Sequence, residues 1–154
     1  MNAAGRILLA TAIGTSFMTL YSYWQSKKQK QEFTEPVLLN ELSDRSPELP
    51  EVNDTDDDPV GWTTHYAVGL LFVVSYYILW KRSLTHPTIL KGLTIGAASG
   101  VIAIAAWKIM FATNPNPPKN DREGYYRQLF IAHLIFSTTA LYGYKLPDYI
   151  KRIS

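Results

Sequence analysis

The sequence predicts an all-α integral membrane protein, a polytopic four-helix bundle that forms a single domain over residues 1–154. Four apolar stretches stand out, and only two of the 28 Lys, Arg, Asp and Glu side chains fall inside them. All nine prolines lie outside the same stretches. Each stretch has the length of a helix that crosses a hydrocarbon core about 30 Å thick. The predicted spans are about 3–24, 60–80, 92–112 and 128–144.

Aromatic side chains support the ends of these spans independently of hydropathy. All four tryptophans and six of the ten tyrosines lie near a span end. Amphipathic rings concentrate at the level of the lipid headgroups, at both membrane–water interfaces. The averages over the whole chain, 47% hydrophobic and 18% charged, are those of an ordinary soluble domain, because polar loops dilute the spans.

The first span differs from a signal peptide in its length and in the residues at its C-terminal end. Residues 3–24 are longer than the apolar core of such a peptide, and Tyr21-Ser22-Tyr23-Trp24 stands where a small-residue cleavage site is needed. We therefore expect a retained helix, which ends before the stop-transfer cluster Lys27-Lys28-Gln29-Lys30. Four hydroxyl side chains form a stripe on this helix and are expected to support packing: Thr11, Thr15, Thr19 and Ser22.

A polar, acidic loop at 25–59 separates the first two spans. Within it, Thr34 and Pro36 resemble a helix start, with Thr34 able to cap the helix. This pattern predicts a short interfacial helix near 35–42, and disorder is the alternative for the same residues. Residues 43–58 are acidic and Pro-rich, which favours disorder.

Charges and helix breakers mark the ends of the other spans. The second span stops at Lys81-Arg82, and the third begins after Pro87 and ends before Asn114-Pro115-Asn116-Pro117-Pro118. Four spans place both termini on one face of the membrane, and the two faces then receive seven Lys and Arg residues each. The positive-inside rule therefore leaves the orientation open.

Several function classes are excluded by the residues and motifs that the sequence lacks. The chain has no Cys, and therefore no disulfide, thiolate nucleophile, Cys-ligated zinc, iron–sulfur cluster or c-type haem attachment. It has no P-loop, G-x-S-x-G or H-E-x-x-H motif. Asp54, Asp56 and Asp58 are spaced like the start of a calcium loop, but Pro59 and His65 stand where that loop needs Gly and Glu. The basic residues form no stripe, so no nucleic-acid partner is expected.

A glycine pattern indicates where helices approach each other most closely. Gly92, Gly96 and Gly100 are four residues apart on the third span, so they share one face on which a neighbouring backbone can pack. We expect the partner of this face to be another helix of the same chain or a second copy. Gly61 and Gly69 predict a similar face on the second span.

Two histidines are the candidate ligand-binding side chains. His65 and His133 each lie five residues inside a predicted span, about 8 Å deep. Both spans start from the same membrane face, so the two imidazoles are expected at one depth. Trp107, Lys108 and Tyr21 are expected near that level. The pair could hold a haem or a metal ion, hydrogen-bond a quinone, or form only the hydrogen bonds that fix helix packing.

The run Gly61-Trp62-x-x-His65-Tyr66-x-x-Gly69-x-x-Phe72 resembles a signature of small bacterial inner-membrane proteins, grouped as an integral-membrane domain of unknown function. The likeness covers roughly 60–144 and, more weakly, the first span. Its other matching pieces are Trp80, Pro87-Thr88, the glycines of the third span, Asn114-Pro115-x-Pro117, His133-x-x-Phe136 and Gly14-Thr15-x-x-Met18. An acidic residue often follows that methionine in the family, and this chain has Thr19 there. The resemblance implies a four-helix fold in the bacterial inner membrane and no established activity.

The leading functional expectation is a non-enzymatic membrane protein. It would be an accessory subunit of a larger membrane complex, or a bundle that associates with itself through the glycine face. The alternative is a redox or ligand-binding protein that holds haem, a metal ion or a quinone with His65 and His133. A further alternative is a transporter or channel for small solutes, which four helices could form only as an oligomer. The lipid bilayer is the expected partner in every case.

Overall fold

The computed structural model describes residues 1–153, which form six helices and no strand. The all-α prediction is confirmed. The helices are α1 (Ala3–Gln29), α2 (Glu35–Asp44), α3 (Pro59–Leu79), α4 (Lys81–Thr85), α5 (Ile89–Thr113) and α6 (Arg122–Ile153). Three of them, α1, α3 and α5, are long and apolar enough to cross a membrane.

α1 has a defined cap at each end. The side chain of Asn2 accepts a hydrogen bond from the Gly5 N–H at 2.9 Å, which satisfies one of the free donors of the first turn. Lys27 and Lys28 lie in the last turn, where positive charge suits the helix dipole. Lys30 then adopts the left-handed conformation at φ 54°, which ends the helix and turns the chain towards α2.

α2 forms inside the acidic loop and is buried over most of its length. Thr34 holds the N-cap position, but its side chain makes no capping hydrogen bond. The capping role predicted for Thr34 is therefore wrong, because its hydroxyl lies 3.1 Å from the Ser26 hydroxyl and bonds to α1 instead. Polar Asn40 is buried together with apolar Leu38 and Leu42, so α2 is covered on more than the one apolar face.

Asn40 ties the chain between α2 and α3 to both helices. This side chain is 0% exposed, and its Nδ2 donates to the carbonyl oxygens of Thr55 at 3.1 Å and Asp58 at 3.0 Å. Its Oδ1 accepts the Gly61 N–H at 2.6 Å. A Cβ atom on Gly61 would lie only 2.1 Å from the carbonyl oxygen of Pro36, so glycine is needed where α2 crosses the start of α3.

α6 is the central helix of the bundle and extends beyond the predicted span at 128–144. It contacts α1 along one side and α5 along the other. Its polar side chains lower its hydropathy, and it is not one of the three helices that are apolar enough to cross a membrane. Among the polar residues, Gln128, His133 and Ser137 are buried inside the protein.

The glycine face of α5 packs on α6 of the same chain. A Cβ atom on Gly96 would lie 2.7 Å from both the His133 carbonyl oxygen and Leu134 Cα, and one on Gly92 would lie 2.7 Å from Thr138 Cα. Real Cβ atoms do not approach backbone atoms this closely, so the two helices could not pack at this distance with larger residues.

The substitution Gly96→Ala tests this contact. Alanine inside a helix is normally more favourable than glycine by about 1 kcal/mol. Here the added Cβ meets backbone of α6, so we expect the free energy of unfolding to fall by about 1–3 kcal/mol. Chemical denaturation in detergent, followed by tryptophan fluorescence, measures it. Ala98→Val on the exposed side of α5 is the control, with an expected change below about 0.5 kcal/mol. A stabilised Gly96→Ala protein would contradict the packing.

The substitution Asn40→Ala tests the tie between α2 and α3. It leaves one buried N–H and two carbonyl oxygens without their partner, at a cost of about 1–3 kcal/mol for each group that stays unsatisfied. We expect a destabilised protein in which a protease cuts the segment 45–58 faster, as measured by limited proteolysis. Asn116→Ala, at an exposed position, should leave the cleavage rate unchanged. Cleavage of Asn40→Ala at the wild-type rate would show that the tie is not needed.

Candidate functional site

A cavity of about 220 Å³ lies inside the bundle, bounded by side chains of α1, α2, α3, α5 and α6. Its walls are mostly apolar and include three aromatic rings, those of Phe72, Trp107 and Phe136. His65 and His133 both line it. The two candidate histidines therefore share one cavity, whereas the sequence predicted only that they share a depth.

Three of the five candidate ligand-binding residues line this cavity, and two do not. His65, His133 and Trp107 are brought together. Lys108 is exposed on α5, with its Nζ atom 5.4 Å from the centre of the Tyr126 ring. Tyr21 is half-buried, and its hydroxyl accepts a hydrogen bond from Gln25 Nε2 at 3.1 Å. Neither Lys108 nor Tyr21 is part of the cavity lining.

The hydrogen bond of His133 leaves one ring nitrogen available as an acceptor. Nδ1 lies 2.9 Å from the carbonyl oxygen of Leu129, one turn back on α6. A carbonyl oxygen can only accept, so Nδ1 carries the proton, and Nε2 of the neutral ring holds a lone pair. Within the described residues Nε2 makes no hydrogen bond. The ring itself is held edge-on by Phe72, at 5.5 Å between centroids.

His65 is bound to α1 through Thr19. Its Nε2 lies 2.9 Å from Thr19 Oγ1, and the single proton of that hydroxyl is donated to the carbonyl oxygen of Thr15 at 2.8 Å. The His65 Nε2–H must therefore be the donor to Thr19. One turn along α3, Gly69 lets α1 approach, because a Cβ there would lie 2.3 Å from Thr15 Oγ1. Part of the hydroxyl stripe predicted on α1 thus contacts α3.

Glu35 is a site residue that the sequence reasoning missed. It lines the cavity from α2, is only 2% exposed, and its Oε1 accepts hydrogen bonds from the Ser22 hydroxyl at 2.9 Å and Gln128 Nε2 at 3.3 Å. Removal from water raises the pKa of this carboxyl from 4.5 to about 7, against the opposing effect of these hydrogen bonds. A signal was present: Glu35 lies close to the apolar residues Phe33, Pro36 and Val37 in an otherwise polar loop.

Two buried oxygen atoms of cavity-lining residues have no hydrogen-bond partner within the described part of the chain. They are Thr15 Oγ1 and Glu35 Oε2. A buried polar group without a partner costs about 1–3 kcal/mol, so such atoms are rare in folded proteins. Like the free Nε2 of His133, both atoms belong to residues that line the cavity.

The cavity opens sideways, between α3 and α5. Val68 on α3 and Ile102 on α5 both line it, yet they are 43% and 60% exposed. The gap between the two helices is closed further along by Tyr76, whose hydroxyl lies 2.6 Å from both Ser99 on α5 and Ser137 on α6. The opening thus has apolar edges on the faces of two helices that could cross a membrane.

The size and donors of the cavity restrict what it can hold. Sites for drug-sized ligands measure about 300–1,000 Å³, so a cavity of about 220 Å³ has no room for a haem. A single ring does fit, since a cavity of about 150 Å³ can bind benzene. Among the described residues, no group of three or more His, Asp and Glu side chains is arranged to hold a metal ion.

Comparisons of the chain with protein families, with curated proteins and with solved structures find no match. The resemblance to the bacterial inner-membrane family stays a prediction, and the chemistry of the site follows from its geometry alone.

The raised pKa of Glu35 predicts how stability depends on pH. Between pH 4.5 and about 7 the folded protein holds a proton that the unfolded chain has released, so stability falls as pH rises through this window. The loss is on the order of 3 kcal/mol, from about 1.4 kcal/mol per pKa unit. Glu35→Gln cannot ionise, so its stability should fall less than that of the wild type between pH 5 and pH 8.

Thermal unfolding in detergent at the two pH values measures this difference. Exposed Glu51→Gln is the control and should follow the wild-type pH profile. Parallel profiles for Glu35→Gln and the wild type would show that Glu35 does not titrate in this window.

Proposed function

We propose that this protein is a four-span membrane protein that binds a small quinone or quinol in the cavity between α3 and α5. The observation that carries the proposal is the cavity itself. It has room for one ring, and three of its walls are aromatic. Two residues that line it, Thr15 and Glu35, have unpartnered polar atoms, and it opens between two apolar helices. A quinone is a lipid-soluble compound that combines a ring with polar groups on its edge.

The position of α6 supports a fourth span. α6 runs antiparallel to α1, with contacts from the Arg6–Asp148 ion pair at one end to the Ser22–Gln128 hydrogen bond at the other. Sixteen residues of α1 separate these contacts, which is about 24 Å along a helix. α1 could itself cross a membrane, so α6 lies at membrane depth over most of that distance. Its neighbours cover its polar side chains, which explains why it needs fewer apolar residues.

The polar atoms of the cavity suit both redox forms of such a ligand. The free Nε2 of His133 accepts a hydrogen bond, as the hydroxyl of a quinol requires. The Thr15 hydroxyl and the protonated form of Glu35 can donate to the carbonyl of a quinone. Since the pKa of Glu35 is about 7, both protonation states are available near neutral pH.

The lateral opening supports delivery of the ligand from the membrane. Val68 and Ile102 present apolar edges at the opening, so a lipid-soluble molecule would reach the cavity without crossing a polar surface. A water-soluble ligand would instead need a polar approach.

Self-association through the glycine face, part of the leading expectation from the sequence, loses its support. The backbone of α6 covers Gly92 and Gly96, and the side chain of Phe130 covers Gly100. A second copy would have to pack on another surface.

Binding of a short-chain quinone tests the proposal. Ubiquinone-1 is titrated into the full chain in detergent, and the quenching of tryptophan fluorescence is followed, since Trp107 lines the cavity. We expect saturable quenching that is largely lost in Trp107→Phe. Ala106→Phe places a ring at the opening, where Ala106 is exposed and lines the cavity, and should weaken binding at least about tenfold.

Ala105→Phe is the matched control, because Ala105 is also exposed on α5 but does not line the cavity. It should bind ubiquinone-1 like the wild type. His133→Leu should weaken the reduced form, ubiquinol-1, more than ubiquinone-1, because the hydrogen-bond acceptor is lost. Absence of saturable quenching, or equal affinity of the two alanine variants, would refute the site.

A further inference from the structure

A second concave surface, separate from the cavity, runs between α1 and α3 at the end of the bundle that carries the acidic segment. We call it the α1–α3 groove; it measures about 860 Å³. Its lining includes Lys27 and Lys30 at the end of α1, Asp56 and Asp57 before α3, and the aromatic rings of Tyr23, Trp62 and Tyr66. This surface is not used by the proposed quinone site.

The charged side chains of the groove form no ion pair with one another. Lys27, Lys30, Asp56 and Asp57 are exposed, and none forms an ion pair within residues 1–153. Glu32, whose Oε1 accepts the Thr34 N–H at 2.7 Å, also lines the groove and adds a third negative charge. Lys27 has only a ring contact, with its Nζ atom 5.1 Å from the centre of the Tyr23 ring. The groove thus offers cations and anions that have no ion-pair partner within residues 1–153, which is the complement of a zwitterion.

An apolar surface continues from the charged end. Leu20 lines the groove and is exposed. A neighbouring concave surface shares Trp62 and Tyr66 with the groove and is otherwise lined largely by apolar side chains, among them those of Leu8 and Leu70. The charged end and the apolar continuation together match a molecule with a zwitterionic head and a hydrocarbon tail.

The groove lies at the level expected for lipid headgroups. It is formed by the last turns of α1 and the first turns of α3, both of which are long and apolar enough to cross a membrane. Tyr23, Trp62 and Tyr66 have the amphipathic rings that concentrate at this level.

We propose that the α1–α3 groove binds one molecule of phosphatidylethanolamine. Its phosphate contacts Lys27 and Lys30, its primary ammonium contacts Asp56 and Asp57, and an acyl chain follows the apolar surface past Leu20. An ammonium group can donate hydrogen bonds to carboxylates, whereas the trimethylammonium of phosphatidylcholine cannot. Phosphatidylglycerol has no cation for the two aspartates.

Native mass spectrometry of the full chain in detergent, with equal amounts of these three lipids added, tests the proposal. We expect one bound phosphatidylethanolamine, preferred about fivefold or more over each of the other two. The double variant Lys27→Gln/Lys30→Gln should reduce its binding about tenfold. Lys28→Gln is the matched control, because Lys28 lies over the Trp24 ring, outside the groove, and should leave binding unchanged.

A second variant separates the two charged pairs. Asp56→Asn/Asp57→Asn removes the anions at exposed positions, so we expect the preference for phosphatidylethanolamine over phosphatidylglycerol to disappear. Equal binding of all three lipids, a preference for phosphatidylglycerol by the wild type, or equal losses in Lys28→Gln and the double lysine variant would overturn the proposal. Displacement of the lipid by micromolar glycerophosphoethanolamine, which has no acyl chains, would show that the groove recognises a soluble compound instead.

Discussion

The close approach of α6 to both α1 and α5 is the constraint on which the rest of the structure depends. Lipid chains are as apolar as the helices, so association in a membrane relies on close packing and hydrogen bonds. Glycine permits both contacts: a Cβ on Gly14 would lie 2.9 Å from Ala140 Cβ, and one on Gly96 would lie 2.7 Å from the backbone of α6. With α6 fixed between two neighbours, its polar side chains point inwards, which places His133 in the cavity and Gln128 beside Glu35.

Polar side chains inside the bundle are paired across helices almost everywhere. Tyr76 joins α3 to both α5 and α6, His65 joins α3 to α1, and Glu35 joins α2 to α1 and α6. An unpaired group in a hydrocarbon medium costs several kcal/mol, so this pairing is what the environment demands. Within the described residues Tyr125 and Thr138 also have a buried oxygen atom without a partner, but only the free oxygen atoms of Thr15 and Glu35 belong to residues around the cavity.

The two proposed sites lie on either side of the contact between α1 and α3. Thr19 lines the α1–α3 groove, and its hydroxyl bonds to His65, which lines the cavity. The cavity is small and largely apolar with few polar atoms, so the proposed ligand would be selected by ring size and hydrogen bonding. The groove is larger, open and charged, so its proposed ligand would be selected by the arrangement of its charges. The two proposals thus assign to one chain two kinds of site for lipid-soluble molecules.

The amino-acid sequence alone was enough to predict the helical class and the three apolar helices α1, α3 and α5. Residue counting also predicted one depth for His65 and His133, which both line the cavity. Each of these follows from the hydrophobic length that a bilayer requires or from counting residues along a helix. Counting residues gives the depth of a side chain but not the direction in which it points, because helix packing sets how each helix is rotated about its axis. Trp107 therefore lines the cavity, while Lys108, the next residue, faces outwards. The role of Glu35 emerges only in the folded chain, because α2 must fold back over the bundle before a loop carboxylate can be buried beside Ser22.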